Sequence, residues 1–213
     1  MDELKLHTLN DSVLEQIKFI DKDYLLSNPL LLSSNPKGKI LYLGQETNTW
    51  YGSHKDVSSA RKIEKHYDYF FLENRMPNKP FWRFIRNAVQ TYNVGNEGNI
   101  TWANLFICSN KDKKGTPILF DKIKDLSVDY LLNVIDILDI EKVIAVVGPK
   151  NPYYSVLMSL LGELGWNIEK WPTFFEPVIY SENEKLFYTY HPNNLQRTHN
   201  FDDACIKVSK FIK

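Results

Sequence analysis

Cysteine is almost absent: Cys108 and Cys205 are the only two in 213 residues. That excludes a disulfide framework, an iron–sulfur cluster and a four-cysteine zinc site. An excess of either charge is also lacking. Lys plus Arg and Asp plus Glu each total 26, for a formal net charge of zero. A chain that coats nucleic acid by bulk positive charge is thereby excluded, and only local basic patches remain. No apolar run reaches the roughly 20 residues that cross a bilayer. The opening Met1-Asp2-Glu3-Leu4-Lys5 alternates charges, without the basic-then-apolar order of a signal peptide. No internal repeat or low-complexity tract stands out. No Gly-x-Gly-x-x-Gly or Gly-x-x-x-x-Gly-Lys-Ser/Thr follows an apolar run, which disfavours an unrelated dinucleotide- or nucleotide-binding enzyme. What is present is an ordinary globular mixture, 43% hydrophobic and 24% charged, with a generous 14% aromatic. The expectation is a reduced, soluble, cytoplasmic protein forming one domain over 1–213, with 1–37 as its N-terminal helical extension.

Apolar periodicity organises the chain. Residues 11–27 read as a helix behind an Asp11/Ser12 cap, with Val13, Leu14, Ile17 and Ile20 on one face. Asn35-Pro-Lys-Gly38 reads as a turn. It leads into Lys39–Gly44, an apolar run of the kind that forms a buried parallel strand. Residues 57–76 mix helix and aromatics, and Pro80 opens a helix. Ile100–Cys108 and Lys142–Gly148 are two more apolar strand candidates, and 186–190 is a fourth. Helices are expected over 120–138, Pro152–Leu164 and Phe201–Lys213, the last with Asp202 and Asp203 at its start and lysines at its end. Strands alternating with helices predict an α/β fold: a three-layer α/β/α sandwich with a mostly parallel central sheet.

Open α/β sheets bind ligands at the carboxyl ends of their strands. Three such ends carry polar groups here: Gln45-Glu46-Thr47-Asn48 after the first strand, Asn104 in the second, and His191-Pro192-Asn193 after the last. Each alone has a plain structural explanation. Glu46 could be a solvated loop carboxylate, Asn104 an amide bonded to nearby backbone, and His191 a turn residue. Their joint occurrence offers a carboxylate to activate water, an amide to read a polar edge and an imidazole to stabilise a developing anion.

In this combination the chain resembles the uracil-DNA glycosylase superfamily. Ile40-Leu-Tyr-Leu-Gly-Gln-Glu-Thr-Asn48 is similar to its water-activating motif. Trp102-Ala-Asn-Leu-Phe-Ile-Cys-Ser-Asn110 is similar to the strand whose Asn pairs with the flipped base. Tyr188-Thr-Tyr-His-Pro-Asn-Asn-Leu-Gln-Arg197 resembles the His-Pro loop, and Val143–Gly148 fits the intervening strand. The resemblance covers about 38–213. It implies a DNA base-excision glycosylase that hydrolyses the N-glycosidic bond of uracil or another altered base flipped out of DNA. Glu46 and His191 would be catalytic. Asn104, Asn48 and Gln45, the last through its backbone, would bind the base. Leu195 would insert into the stack, with Arg197 available for phosphate. Apart from the resemblance, Lys111, Lys113 and Lys114 follow the Asn strand in a loop that either contacts phosphate or is simply solvated. The resemblance implies no cofactor and no metal. The expected partner is DNA, held transiently given the zero net charge, with no membrane and a monomeric enzyme.

Three departures from the superfamily pattern bear on specificity. Glu46 stands where the best-known branch has Asp, Thr47 where it has Pro, and Asn48 where it has the Tyr that blocks thymine's methyl group. A pocket without that gate need not exclude 5-substituted pyrimidines. Phe81 and Trp50 are candidates for the base-stacking aromatic, and Phe81 reads better as core. The alternative is a catalytically inactive relative that binds a nucleobase, a nucleotide or a protein partner.

Overall fold

The computed structural model describes residues 2–33, 38–73, 75–91 and 100–213. Most of the expected Asn35–Gly38 turn lies outside the described residues. The chain is α/β: seven α-helices and a five-stranded, mostly parallel sheet among the described residues. Two compact units are distinguished. One comprises Met1–Pro36, Gln45–Arg75 and Trp102–Asp139; the other comprises Lys37–Gly44, Met76–Thr101 and Ile140–Lys213.

The sheet has the strand order β2-β1-β3-β5-β4; β1, β3, β4 and β5 belong to the second unit, and β2 is divided after Thr101. These strands are β1 (Ile40–Gly44), β2 (Ile100–Asn104), β3 (Lys142–Ala145), β4 (Val178–Tyr180) and β5 (Leu186–Thr189). β1 pairs parallel with β3 in the register Leu41↔Val143, and β3 pairs parallel with β5 in the register Ile144↔Phe187. Every residue of β1 and β5 is buried. Strands covered on both faces carry continuous apolar runs rather than alternation, as these do. β4 reverses direction and pairs antiparallel with β5, Val178 facing Thr189. Around the sheet this unit carries α3 (Pro80–Thr91), α5 (Tyr153–Leu164), α6 (Pro192–Arg197) and α7 (Phe201–Phe211). α7 seals onto α3 through the Ser209 hydroxyl, which donates to Ala88 O at 2.7 Å, and through the Phe84–Phe201 rings, 5.6 Å apart.

The first unit is built around α1 (Asp2–Ile20), α2 (Ala60–Tyr67), continued by a π turn over Asp68–Leu72, and α4 (Phe120–Ile137). A buried amide joins all three helices. Asn10 on α1 donates to Leu32 O and to Glu64 Oε1 on α2, both at 2.8 Å. It accepts from the Tyr130 hydroxyl of α4 at 3.0 Å, and that hydroxyl accepts from Leu32 N–H at 2.9 Å.

Three sequence expectations are corrected here. The first helix covers Asp2–Ile20 rather than 11–27. Its acidic first turn favours the earlier start. It stops because the Asp21 carboxylate accepts from the N–H groups of Leu25 and Leu26 at 2.9 and 2.8 Å, turning the chain. The second strand ends at Asn104 rather than Cys108. Beyond it the chain bonds to the 25–30 segment instead, through Leu30 N–H to Ile107 O at 2.6 Å and Ser27 N–H to Ser109 O at 2.9 Å. The third strand is cut short at Ala145. Val146 N–H still bonds Leu43 O at 2.9 Å, while Gly148 turns at φ 70°.

Because Asn10 is fully buried and makes three hydrogen bonds, Asn10→Ala removes the donor to the Leu32 carbonyl and the acceptor of the Tyr130 hydroxyl, and leaves Glu64 Oε1 with His7 Nδ1 at 3.0 Å. We expect a loss of about 2–4 kcal/mol. Tyr130→Phe should cost less, about 1–2 kcal/mol. Urea unfolding checks both, the midpoint falling at unchanged slope.

Candidate functional site

In the first unit the loop after β1 is shaped by strain and held by main-chain bonds. Thr49 and Tyr51 occupy the left-handed region at φ 53° and 50°. That conformation is costly for a β-branched residue and persists only where the surroundings impose it. The restraints are specific. Thr49 N–H donates to Ser109 Oγ at 3.0 Å, and Asn28 Nδ2 donates to Tyr51 O at 2.6 Å. Asn28 N–H reaches Gly52 O at 2.8 Å, and Phe106 N–H reaches Gln45 O at 2.9 Å. The loop thus presents Gln45 and Glu46 half-buried, Thr47 buried and Asn48 exposed. Of the Gln45 backbone, expected from sequence to bind the base, the carbonyl accepts from Phe106 N–H.

Asn104 is buried at the end of β2. Oriented to satisfy its neighbours, its amide oxygen accepts from Thr47 N–H and its nitrogen donates to Ala103 O, each at 3.1 Å. The side chain therefore ties the Glu46 loop to the strand. One N–H and one lone pair stay uncommitted by these two bonds, since an amide has two of each. Trp50 is buried, with its ring edge-on to Trp102 at 5.4 Å and to Phe70 at 5.3 Å. It is a core residue of this unit. Lys111, Lys113 and Lys114 are exposed on a loop closed by Asn110, whose side chain donates to Gly115 O and Thr116 O and accepts from Ile118 N–H. Asp21 and His54 form a fully buried pair at 2.8 Å that the sequence reading did not single out. The same carboxylate receives the Leu25 and Leu26 amides, a structural duty.

In the second unit His191 lies two residues after β5 and caps α6, with Pro192 at the first helical position. Its Nδ1 accepts from Asn193 N–H at 3.2 Å, which makes Nε2 the protonated nitrogen of the neutral ring. Burial chiefly, and the Arg197 charge secondly, lower its pKa from 6.5 to about 4. The ring is a neutral N–H donor at physiological pH. The half-buried Phe81 lies nearly parallel to it, with centroids 5.8 Å apart and 21° between planes, and leans on Tyr42 at 4.7 Å. Phe81 is thus a neighbour of His191 rather than a pure core residue, and the Pro80 helix start was the signal that could have placed it. Leu195 is fully buried in α6, so in this conformation it is not presented for insertion. Arg197 is exposed, and its Nε donates to Asn193 O at 3.2 Å.

Chemically, the first unit supplies a carboxylate and an amide on one constrained loop–strand junction. The second supplies a neutral imidazole beside an aromatic face. Among the described residues no group of three or more His, Cys, Asp or Glu side chains is arranged to hold a metal. No protein-family model and no curated protein sequence matches this chain.

The lowered His191 pKa has a consequence for stability with a definite sign. Between pH 6.5 and about 4 the unfolded chain takes up a proton at this position that the folded chain refuses. Stability therefore falls as pH falls through that window. We expect the His191 ring to titrate near 4 by NMR, and Arg197→Ala to raise that value. His191→Gln should flatten the pH dependence of the urea midpoint in the same window.

Proposed function

We propose that this protein is a DNA N-glycosylase of the uracil-DNA glycosylase-like class, on a three-layer α/β/α fold, acting on uracil or another altered base. The observation that carries the reading is His191: a histidine at the carboxyl end of a parallel strand, neutral, with its tautomer set by Asn193 N–H. Glycosidic cleavage breaks the C1′–N bond and sends its electron pair to the base. A neutral N–H donor at the base carbonyl stabilises that charge without donating a full proton. Water adds its oxygen to C1′ and passes a proton to the Glu46 carboxylate, which also favours the sugar cation electrostatically. The base anion takes a proton from solvent. Asn104 reads the base edge with its uncommitted N–H and lone pair, and Asn48 replaces a steric gate. DNA is bound transiently by a cytoplasmic monomer.

A second reading is favoured by one observation. Asn104 already spends part of its amide on Thr47 and Ala103, which suits a relative that binds a nucleobase or nucleotide without cleaving it.

The test is alkaline strand cleavage on duplex and single-stranded oligonucleotides carrying uracil, mismatched thymine, hypoxanthine, xanthine or 5-hydroxymethyluracil. Wild type should give alkali-labile product on at least one, and Glu46→Gln should abolish it. His191→Ala should lower kcat by about 100-fold while DNA affinity stays within about twofold, because the anion forms only towards the transition state. Equal losses in both would make His191 structural. No product from folded wild type on any substrate overturns the glycosylase reading and favours the binding one.

A further inference from the structure

β4 is the outer strand of the sheet, paired with β5 on one side only. The register says which of its main-chain groups are left over. Opposed residues of antiparallel strands alternate between pairs that exchange hydrogen bonds and pairs that do not. The pairing Val178↔Thr189, Ile179↔Tyr188, Tyr180↔Phe187 continues to Ser181 opposite Leu186, where Ser181 N–H donates to Leu186 O at 3.2 Å. Ile179 is therefore bonded to Tyr188, whereas Val178 and Tyr180 are not bonded to β5. The other side of β5 agrees, because Thr189 O accepts from Gly148 N–H at 3.0 Å and so is turned away from β4. The N–H and C=O groups of Val178 and Tyr180 thus point out of the sheet edge. No group outside the sheet bonds them among the described residues. An open edge of this kind is a template for another strand.

The edge lies in a groove of about 520 Å³, lined by Val178, Ile179 and Tyr180 and walled by charged side chains. Two of these are cations, and both are committed. Lys170 closes on the two Glu176 oxygens at 2.7 and 2.8 Å, and Lys207 on Asp203 at 2.8 Å. Glu169 and Glu182 also line the groove, both exposed, and neither is ion-paired among the described residues. The groove therefore keeps two unmatched negative charges beside an unbonded strand edge. Acidity alone would attract any cation. The outward groups of Val178 and Tyr180 select an extended chain, because a strand offers donors and acceptors at the same two-residue repeat.

Aromatic surface adjoins the groove. Trp171, Phe174 and Phe175 lie in the chain between Lys170 and Glu176 and are 56, 60 and 93% exposed. The turn that carries them is held in place. The Tyr190 hydroxyl donates to Pro172 O at 3.1 Å, the Thr189 hydroxyl to Pro177 O, and Thr173 N–H to Glu176 O at 2.9 Å. Exposed aromatic faces receive ammonium and guanidinium groups as well as apolar side chains. Charge also says what is refused. A second copy of this edge would bring the same two carboxylates and be repelled, whereas a strand bearing Lys or Arg is admitted.

We propose that β4 is a docking edge for an extended, Lys- or Arg-bearing segment of a partner protein. The segment adds as a strand beside β4, bonds the main chain of Val178 and Tyr180, and sets its cations against Glu169 and Glu182. This docking is independent of the base-release reading.

The experiment uses the full-length protein and the amidated peptide Lys-Val-Lys-Val-Lys-Val-Lys carrying an N-terminal fluorescein. Two comparison peptides have Gln for every Lys, or a methyl group on every peptide nitrogen, which keeps the charge and removes the main-chain donors. The readouts are fluorescence anisotropy and amide hydrogen exchange followed by NMR. The cationic peptide should bind, the Gln peptide about tenfold or more weakly, and the N-methylated peptide not at all. On binding, exchange at Val178 and Tyr180 should slow about tenfold or more, while Ile179, already bonded to β5, should not change. Glu169→Gln combined with Glu182→Gln should weaken binding about tenfold at low salt. Glu163→Gln, at an exposed position of α5, should match wild type. All three sites are exposed, so thermal melting should be unchanged. No binding of the cationic peptide overturns the docking edge. Equal binding of the N-methylated peptide, or unchanged exchange at Val178 and Tyr180, makes the contact a loose ionic one and overturns strand addition. Binding indifferent to the double variant overturns the cationic occupant. Self-association that protects Val178 and Tyr180 without peptide assigns the edge to a second copy and also overturns the proposal. None of these outcomes depends on base release.

Discussion

Parallel pairing of β1, β3 and β5 is the constraint on which the chemistry depends. Strands running the same way must end at the same edge, so Ala145 and Thr189 terminate alongside Gly44. His191 inherits its position from Thr189, two residues earlier. The reversal of β4 adds the start of that strand to the same edge. The polar interactions this arrangement uses are backbone hydrogen bonds of the ladder, such as Val143 N–H to Lys185 O at 2.8 Å. Burial on both faces supplies the driving force, at roughly 1.5–3 kcal/mol for each large apolar side chain removed from water.

Polar groups set into that apolar frame are expensive, and each is compensated in a way that limits what it can do. His191 is held neutral by burial, and its Nδ1 is committed to Asn193. It can therefore donate from Nε2 and cannot act as a general base through Nδ1. Asn104 satisfies part of its amide on Thr47 and Ala103, which fixes the loop that carries Glu46. Thr49 and Tyr51 hold an unfavourable backbone conformation because Ser109 and Asn28 bond to that loop. Asn10 and Tyr130 do the same work for the helices of their unit, each polar atom answering another. At His191 and Asn104 the partners are backbone groups, and backbone geometry there decides which atoms remain for a ligand.

Much of the α/β pattern was legible in the sequence because apolar runs of strand length and apolar faces of helical period are local signals. β1, α3, α4, α5 and α7 lie where those signals place them, within two residues at their ends. The misses have physical causes. β4 is three residues long and its apolar content is too small to register as a strand. α6 is hidden because its cap is a histidine, which the sequence reading treated as chemistry and not as a helix start. The Ile100–Cys108 run is apolar throughout, so composition could not say where the chain leaves the sheet for the 25–30 segment. At the candidate site, the residue types at strand ends were legible. The burial of Leu195, the nearness of Phe81 to His191 and the exposure of Phe174 and Phe175 were not.

By itself the sequence determined the α/β class, the buried parallel strands and the polar residues that follow them, since each depends on neighbours in the chain. Tertiary structure decided what those polar residues are free to do. The His191 pKa depends on its surroundings, Asn104 on the backbone of Thr47, and the Phe174–Phe175 turn on hydroxyls of β5 and its end. Those partners lie 12 or more residues away in the chain for the turn and 57 for Asn104, by their numbering. Periodicity and composition hold no record of such distances, because an environment is made by packing rather than by order along the chain.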